Sequence, residues 1–172
     1  MATVSLSLDE IYKLANKTLL ANGCDQETAD ILSELITNAE RDGSLSHGLF
    51  RLPAYVSGLK SGKINGKQKP DIKKLTPSVI KADGKNCLAP VVLNKSIPEL
   101  VKAAKENGVA VLAIINSHHM AAMWPETEKI AEEGLVAFAC TSYKPAVAPA
   151  GAIKPLFGTN PISFAWPRKN NT

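Results

Sequence analysis

The chain has 172 residues, of which 45% are hydrophobic and 21% charged, and its formal net charge is +4. These proportions are typical of a globular domain with a buried core, and they exclude disordered and fibrous proteins. Charges of both signs are spread along the chain, and the lysine-rich stretch 63–74 contains no aromatic residue, which argues against nucleic-acid binding.

The sequence predicts neither a membrane span nor an export signal. Its longest apolar run, 108–115, is too short to cross a bilayer, and the N-terminus lacks the charged start of a signal peptide. Cys24, Cys87 and Cys140 are far apart and have neither metal-ligand nor catalytic spacing. We therefore expect a cytoplasmic protein with reduced thiols and no bound metal.

Two amphipathic helices are predicted at the start of the chain. Ser7 and Glu10 have the spacing of a capping box, and apolar residues then keep helical spacing until Gly23 ends the first helix. The second helix begins near Asp25, has an apolar face between Ile31 and Ala39, and runs to about residues 41–43.

A third helix is predicted over about 46–59, and its start depends on Pro53. If the helix includes residue 46, then His47, Arg51 and Tyr55 share one face at i, i+4 and i+8. An acid–base group, a carboxylate clamp and a phenol on one face suit a small-molecule site, although an exposed polar face is the simpler interpretation. Because an interior proline kinks a helix, the alternative is a helix that begins just before Pro53 and leaves His47 in a turn.

The rest of the chain is predicted to alternate between helices and strands, which indicates an α/β unit. After a polar loop at 61–77, the predicted elements are a strand at 79–82, a helix at 95–107 with Pro98 in its first turn, a strand at 109–115, a helix at 125–133, and strands at 135–141 and 162–166. Ligands of such units bind beyond the carboxyl ends of the strands, where His118 and His119 follow one strand. Neither a GxGxxG motif nor a P-loop motif is present.

Several of these residues have simpler interpretations. Ser46 is most simply a helix N-cap, residues 158–161 a plain turn, and Met120 and Met123 core residues. Adjacent histidines at a strand end point in opposite directions, so one of His118 and His119 facing a pocket is favoured over a metal pair.

Taken together, these segments resemble a known family. Four features together resemble the malate/L-lactate dehydrogenase type 2 family of NAD(P)-dependent oxidoreductases. They are the motif Ser-His-Gly-x-x-Arg-x-x-x-Tyr at 46–55, a histidine after a buried strand, Pro-x-Gly at 149–151 and Gly-Thr-Asn-Pro at 158–161. Residues 116–125 and 157–167 resemble most closely its Δ1-pyrroline-2-carboxylate/Δ1-piperideine-2-carboxylate reductase branch.

The resemblance implies an α/β fold that is not of the Rossmann type, in which N-terminal helices are followed by a mixed sheet with flanking helices. Residues 1–77 would form a helical segment that carries the Ser-His-Gly motif, and 78–172 the first part of the cofactor-binding domain. The resemblance also implies a homodimer and a length near twice this one. The remainder of the enzyme, as a continuation or a separate chain, would supply the rest of the cofactor site and a carboxylate for the Ser-His unit.

The activity implied is the NAD(P)H-dependent reduction of a cyclic imine 2-carboxylate, from Δ1-pyrroline-2-carboxylate to L-proline or from Δ1-piperideine-2-carboxylate to L-pipecolate. NADPH is the expected cofactor and NADH the alternative. The resemblance assigns catalysis to Ser46 and His47, substrate binding to Arg51, Tyr55 and Thr159, and cofactor binding to His119, Met120, Ala121, Ala122 and Met123. The alternatives are a 2-hydroxy acid dehydrogenase of the malate or lactate type and a non-catalytic α/β binding module.

Overall fold

The computed structural model describes residues 4–118 and 120–169, and the chain divides between Ala122 and Met123 into two compact units. The first unit contains α1 (Leu8–Ala21), α2 (Gln26–Arg41), two 3-10 turns (Leu45–His47 and Leu49–Arg51), α3 (Leu52–Lys60), β1 (Asp71–Thr76), β2 (Val79–Leu88), α4 (Ala89–Asn107) and β3 (Val111–His118). The second contains α5 (Trp124–Glu132), β4 (Ala137–Cys140) and β5 (Ile162–Ala165). The division by function near residue 77 stays a prediction.

The predicted ends of the first helices are confirmed by their hydrogen bonds. The Ser7 hydroxyl accepts a hydrogen bond from the Glu10 amide at 3.3 Å, and the Glu10 carboxylate accepts one from the Ser7 amide at 2.8 Å. Asp25 caps α2 by accepting a hydrogen bond from the Thr28 amide at 2.9 Å. Each bond satisfies an amide that the helix itself leaves without a partner.

The third helix takes the alternative form of the prediction, and the form with residues 46–59 as one helix is wrong. α3 begins at Leu52, with Pro53 in its first turn, and two 3-10 turns precede it. A proline fits the first helical turn because the amide that it lacks has no partner there. His47, Arg51 and Tyr55 therefore lie on three successive short elements and not on one helix face.

Two predictions about the sheet are wrong. The polar loop at 61–77 contains β1, which pairs antiparallel with β2. Apolar and polar residues alternate only weakly in β1, because β1 is an edge strand and most of its residues are exposed. β2 also continues to Leu88, past the predicted end at Ala82, because an irregularity between Asp83 and Cys87 lets pairing with β3 resume.

The start of α4 is also earlier than predicted. The helix begins at Ala89 and not at Lys95, so Pro90 occupies its first turn and Pro98 lies in its interior. Gly108 ends the helix with a φ of 81°, a left-handed conformation that glycine adopts at little cost.

The three-stranded sheet of the first unit has the order β1-β2-β3, with β1 antiparallel and β3 parallel to β2. α4 connects the two parallel strands and packs against both of them. The prediction of a mixed sheet with flanking helices after an N-terminal helical part is confirmed. The carboxyl end of β3 lies at His118, which pairs with Leu88.

The main core of the first unit lies among the helices and the start of α4. Its buried members are Ile11, Ala15, Leu19, Cys24, Ala29, Leu32, Ile36, Leu52, Tyr55, Ile64, Leu88 and Val91. In the second unit, α5 packs on the β4–β5 pair, and the Thr127 and Ser163 hydroxyls share a hydrogen bond at 2.7 Å. Within the described residues, no helix is long and apolar enough to cross a membrane.

Candidate active site

The end of α2 determines the position of His47. After α2, Gly43 adopts a φ of 72°, and the Ser44 amide donates a hydrogen bond to the Ala39 carbonyl at 2.8 Å. The His47 amide then donates to the Ser44 carbonyl at 2.8 Å, which closes the first 3-10 turn. The imidazole is therefore attached to a turn that folds back on the end of a packed helix.

Two hydroxyl groups contact the same nitrogen of the His47 ring. The Ser46 Oγ lies 3.0 Å from His47 Nδ1, and the Ser44 Oγ lies 3.4 Å from it. Which partner donates depends on the ring tautomer. Ser46 is not an N-cap of α3, because that helix begins five residues after His47, at Leu52. The sequence interpretation missed Ser44, whose spacing of three residues from His47 is the signal that one turn can join them.

Arg51 and Tyr55 carry buried polar atoms without a partner among the described residues. These atoms are the Arg51 Nε and the Tyr55 hydroxyl. The Tyr55 side chain is fully buried in the helical core. Burial raises the pKa of its phenol, and the positive charge of Arg51 lowers that pKa by a smaller amount. Buried donors without partners are rare in native proteins, because each has lost its hydrogen bonds to water. A guanidinium in this state is suited to bind a carboxylate.

Replacing Tyr55 with phenylalanine is expected to stabilise the fold. The change removes a buried hydroxyl that has no partner, so the free energy of unfolding should rise by about 1 kcal/mol. The wild-type phenol has a raised pKa in the folded state, so wild type should lose stability as the pH rises above the ordinary phenol value of 10.0. The variant should lose less, because it lacks this phenol, while the raised pKa values of Tyr12 and the buried thiols of Cys24 and Cys87 still contribute. Urea unfolding at pH 7 and pH 11 measures both effects. A variant less stable than wild type at pH 7 would show that the hydroxyl has a partner.

The residues predicted to bind the cofactor follow the carboxyl end of β3. His119 lies outside the described residues. Met120 is half-buried and packs against the helical core, and Ala121 and Ala122 are 7% and 5% exposed. Met123 is buried at the start of the second unit. No cluster of three or more metal-ligating side chains occurs in the part of the chain that the structure describes.

The predicted substrate residue Thr159 lies in the second unit, in an exposed loop whose backbone approaches Tyr143 closely at Gly158. The Tyr143 amide donates a hydrogen bond to the Asn160 Oδ1 at 3.0 Å. A side chain at Gly158 would place its Cβ against the Tyr143 backbone carbonyl, 2.7 Å from the carbonyl carbon, and because that backbone cannot move aside easily the loop requires glycine there. Thr159 itself is exposed, and its role with the substrate stays a prediction.

Comparison with known proteins agrees with the motifs. The sequence model of the malate/L-lactate dehydrogenase family matches residues 6–172. Δ1-pyrroline-2-carboxylate reductase 1 of Burkholderia ambifaria is 41% identical over 98% of this chain and 49% of its own length. The (2R)-3-sulfolactate dehydrogenase (NADP+) of Chromohalobacter salexigens is 38% identical over 95% of this chain and 49% of its own length.

The fold is similar to solved structures of the same kind. The crystal structure of Δ1-piperideine-2-carboxylate reductase from Pseudomonas syringae pv. tomato matches with a TM-score of 0.91 and 41% identity, over 98% of this chain and 51% of that one. This chain spans about half the length of the curated relatives it matches. With a family match over nearly all of its residues, the chain belongs to the malate/L-lactate dehydrogenase family.

Proposed function

We propose that this chain carries the substrate-binding part of an NAD(P)H-dependent reductase that acts on a cyclic imine 2-carboxylate. One observation carries the proposal: His47, held at Nδ1 by Ser46, is followed four residues later by Arg51, whose Nε is buried without a partner among the described residues. A group that can donate a proton and a group that can bind a carboxylate are thus attached to consecutive 3-10 turns. A substrate with a carboxylate next to a C=N bond needs one group to protonate the imine nitrogen and another to bind the carboxylate.

In the proposed mechanism, His47 gives a proton to the imine nitrogen. Because Ser46 and Ser44 both contact Nδ1, we assign the proton transfer to Nε2. Arg51 binds the substrate carboxylate, Tyr55 supports the substrate side from within the core, and Thr159 adds a hydrogen bond to the substrate. The nicotinamide cofactor, when bound, supplies the hydride.

The described residues after β3 fit a nicotinamide cofactor. They follow the carboxyl end of a parallel strand, where ligands of α/β units bind. Met120, Ala121 and Ala122 carry no charge, and the two alanines have side chains small enough for a planar ring to approach the backbone. We propose that these residues, with His119 and Met123, hold the cofactor, and that NADPH is preferred over NADH.

We further propose that the remaining polypeptide of the enzyme packs on the second unit and provides the carboxylate for the Ser-His unit. The support is an exposed apolar face on the β4–β5 pair. Phe138 and Phe164 pair across the two strands at 63% and 60% exposure. Ile162 in β5, Val136 just before β4 and Trp166 just after β5 are also exposed. An apolar surface of this kind is typical of a site that another segment covers. A homodimer and a cytoplasmic location, with the described thiols free, belong to the same proposal.

A substrate panel with the natural full-length protein tests the function. Δ1-pyrroline-2-carboxylate, Δ1-piperideine-2-carboxylate, pyruvate and oxaloacetate are each assayed with NADPH and with NADH. We expect the highest kcat/KM for a cyclic imine with NADPH. Activity on the linear oxo acids alone would favour the second candidate, a 2-hydroxy acid dehydrogenase, which the similarity to sulfolactate dehydrogenase supports.

The intact mass of the natural protein separates the enzyme from a binding module. The proposal predicts a mass near twice that of 172 residues, or a second chain that copurifies. A natural protein of 172 residues that lacks a second chain and does not bind nicotinamide would overturn the enzyme assignment.

A further inference from the structure

Glu40 holds the segment that carries His47 at both of its ends. At one end, the Glu40 backbone carbonyl accepts a hydrogen bond from the Gly43 amide at 3.1 Å. At the other end, the Glu40 Oε1 accepts a hydrogen bond from the Leu49 amide at 2.7 Å. His47 lies between these two points. One residue of α2 thus binds the backbone both before and after His47, at the Gly43 and Leu49 amides.

The side chain of Glu40 needs a glycine beside it. A Cβ at Gly48 would lie 2.5 and 2.7 Å from the Glu40 Cδ and Cγ, far inside van der Waals contact, and closer still to Oε1. Gly48 is buried and follows His47 directly. Because glycine has no side chain, the Glu40 carboxylate has room beside residue 48 to reach the Leu49 amide.

We propose that Glu40 is a positioning residue that sets the orientation of His47 through the backbone of Gly48 and Leu49. Glu40 does not touch the substrate in this proposal. It determines where the 3-10 turn holds the imidazole, and Ser46 then fixes the ring. The catalytic consequence rests on the proposed function, whereas the backbone contact can be tested without it.

The first test compares Glu40→Ala with Glu40→Gln in the full-length enzyme. Removing the acceptor frees the Leu49 amide and lets the turn shift, and a shift of about 1 Å costs about 10²-fold in kcat. The glutamine oxygen can still accept the hydrogen bond, so E40Q should keep kcat within about threefold of wild type, since the bond loses only its charge assistance. Substrate KM and the Kd for NADPH should change little in both variants. Glu34→Ala is the matched control, because Glu34 is an exposed carboxylate on the same helix.

A second measurement is independent of activity. Hydrogen–deuterium exchange of the Leu49 amide should be slow in wild type, faster in E40A, and close to wild type in E40Q. The same exchange rate in wild type and E40A would overturn the contact. Fast exchange in E40A with an unchanged kcat, in an enzyme that does reduce imines, would overturn the positioning role. An enzyme without reductase activity would refute the proposed function and leave the exchange result to decide the contact.

The third test uses Gly48→Ala. A methyl group at this position displaces the Glu40 side chain, so G48A should lose kcat to about the same extent as E40A. The double variant E40A/G48A should then be about as active as E40A alone, because the atoms that the methyl would strike are absent. Losses that multiply in the double variant would show that Gly48 and Glu40 act separately.

Discussion

Replacing His47 with alanine is expected, under the proposed function, to lower kcat of the full-length protein for a cyclic imine by about 10²–10⁴-fold, the usual contribution of a positioned acid or base. In the proposed mechanism the loss arises because the variant lacks the imidazole that donates a proton to the imine nitrogen. The Kd for NADPH should stay unchanged, since His47 is assigned to the substrate and not to the cofactor. Steady-state kinetics with a cyclic imine, together with fluorescence titration of NADPH, measures both quantities.

Two further variants make the His47 result specific. Added imidazole should restore part of the rate of the alanine variant, because it can enter the space of the missing ring. Ser46→Ala should lower kcat more than Ser44→Ala, since Ser46 makes the shorter contact with Nδ1, at 3.0 Å against 3.4 Å. Wild-type turnover in His47→Ala would exclude His47 as the proton donor.

Arg51→Lys is expected to raise the substrate KM by about 10- to 100-fold, which corresponds to one lost charge-assisted hydrogen bond. A lysine ammonium is a point charge and cannot reproduce the paired N–H groups that bind both oxygens of a carboxylate. The stability of the free protein should change little, because the Arg51 Nε has no partner among the described residues whose loss would weaken the fold. Saturation kinetics and thermal unfolding measure the two effects separately.

Arg41→Lys is the matched control for Arg51. Its guanidinium is exposed at the end of α2 and already bonds both carboxylate oxygens of Asp42, at 2.8 and 3.1 Å. The same substitution there should leave KM unchanged. Equal KM values for wild type and Arg51→Lys would remove Arg51 from the substrate site.

Local signals in the sequence predicted those parts of the fold that depend on nearby residues. The Ser7–Glu10 capping box and the predicted helix end at Asn107, which Gly108 follows, depend on residues within one helical turn, so local spacing is enough to place a helix end. β1 depends instead on pairing with β2, and the first turns of α4 depend on packing against the sheet. Their sequences carry weak periodicity, and only the distant partner determines their structure.

The same distinction applies to the candidate site. The residue types at His47 and Arg51 indicated acid–base and carboxylate chemistry, but Pro53 lies in the first turn of α3, so the two residues precede that helix and do not share one of its faces. The role of Glu40 could not be predicted, because its carboxylate bonds an amide nine residues away that α2 approaches only in the folded chain. Spacing along a single helix contains no signal for that contact.

The contact between Glu40 and the backbone at Gly48 also restricts the mutational routes open to this segment. A lineage that first gains a side chain at 48 meets the Glu40 carboxylate and passes through a damaged intermediate. A lineage that first loses Glu40 loses the hydrogen bond to the turn. A side chain at position 48 then no longer clashes with the Glu40 carboxylate. The order of substitutions therefore matters, and the two positions should vary together among descendants of this protein.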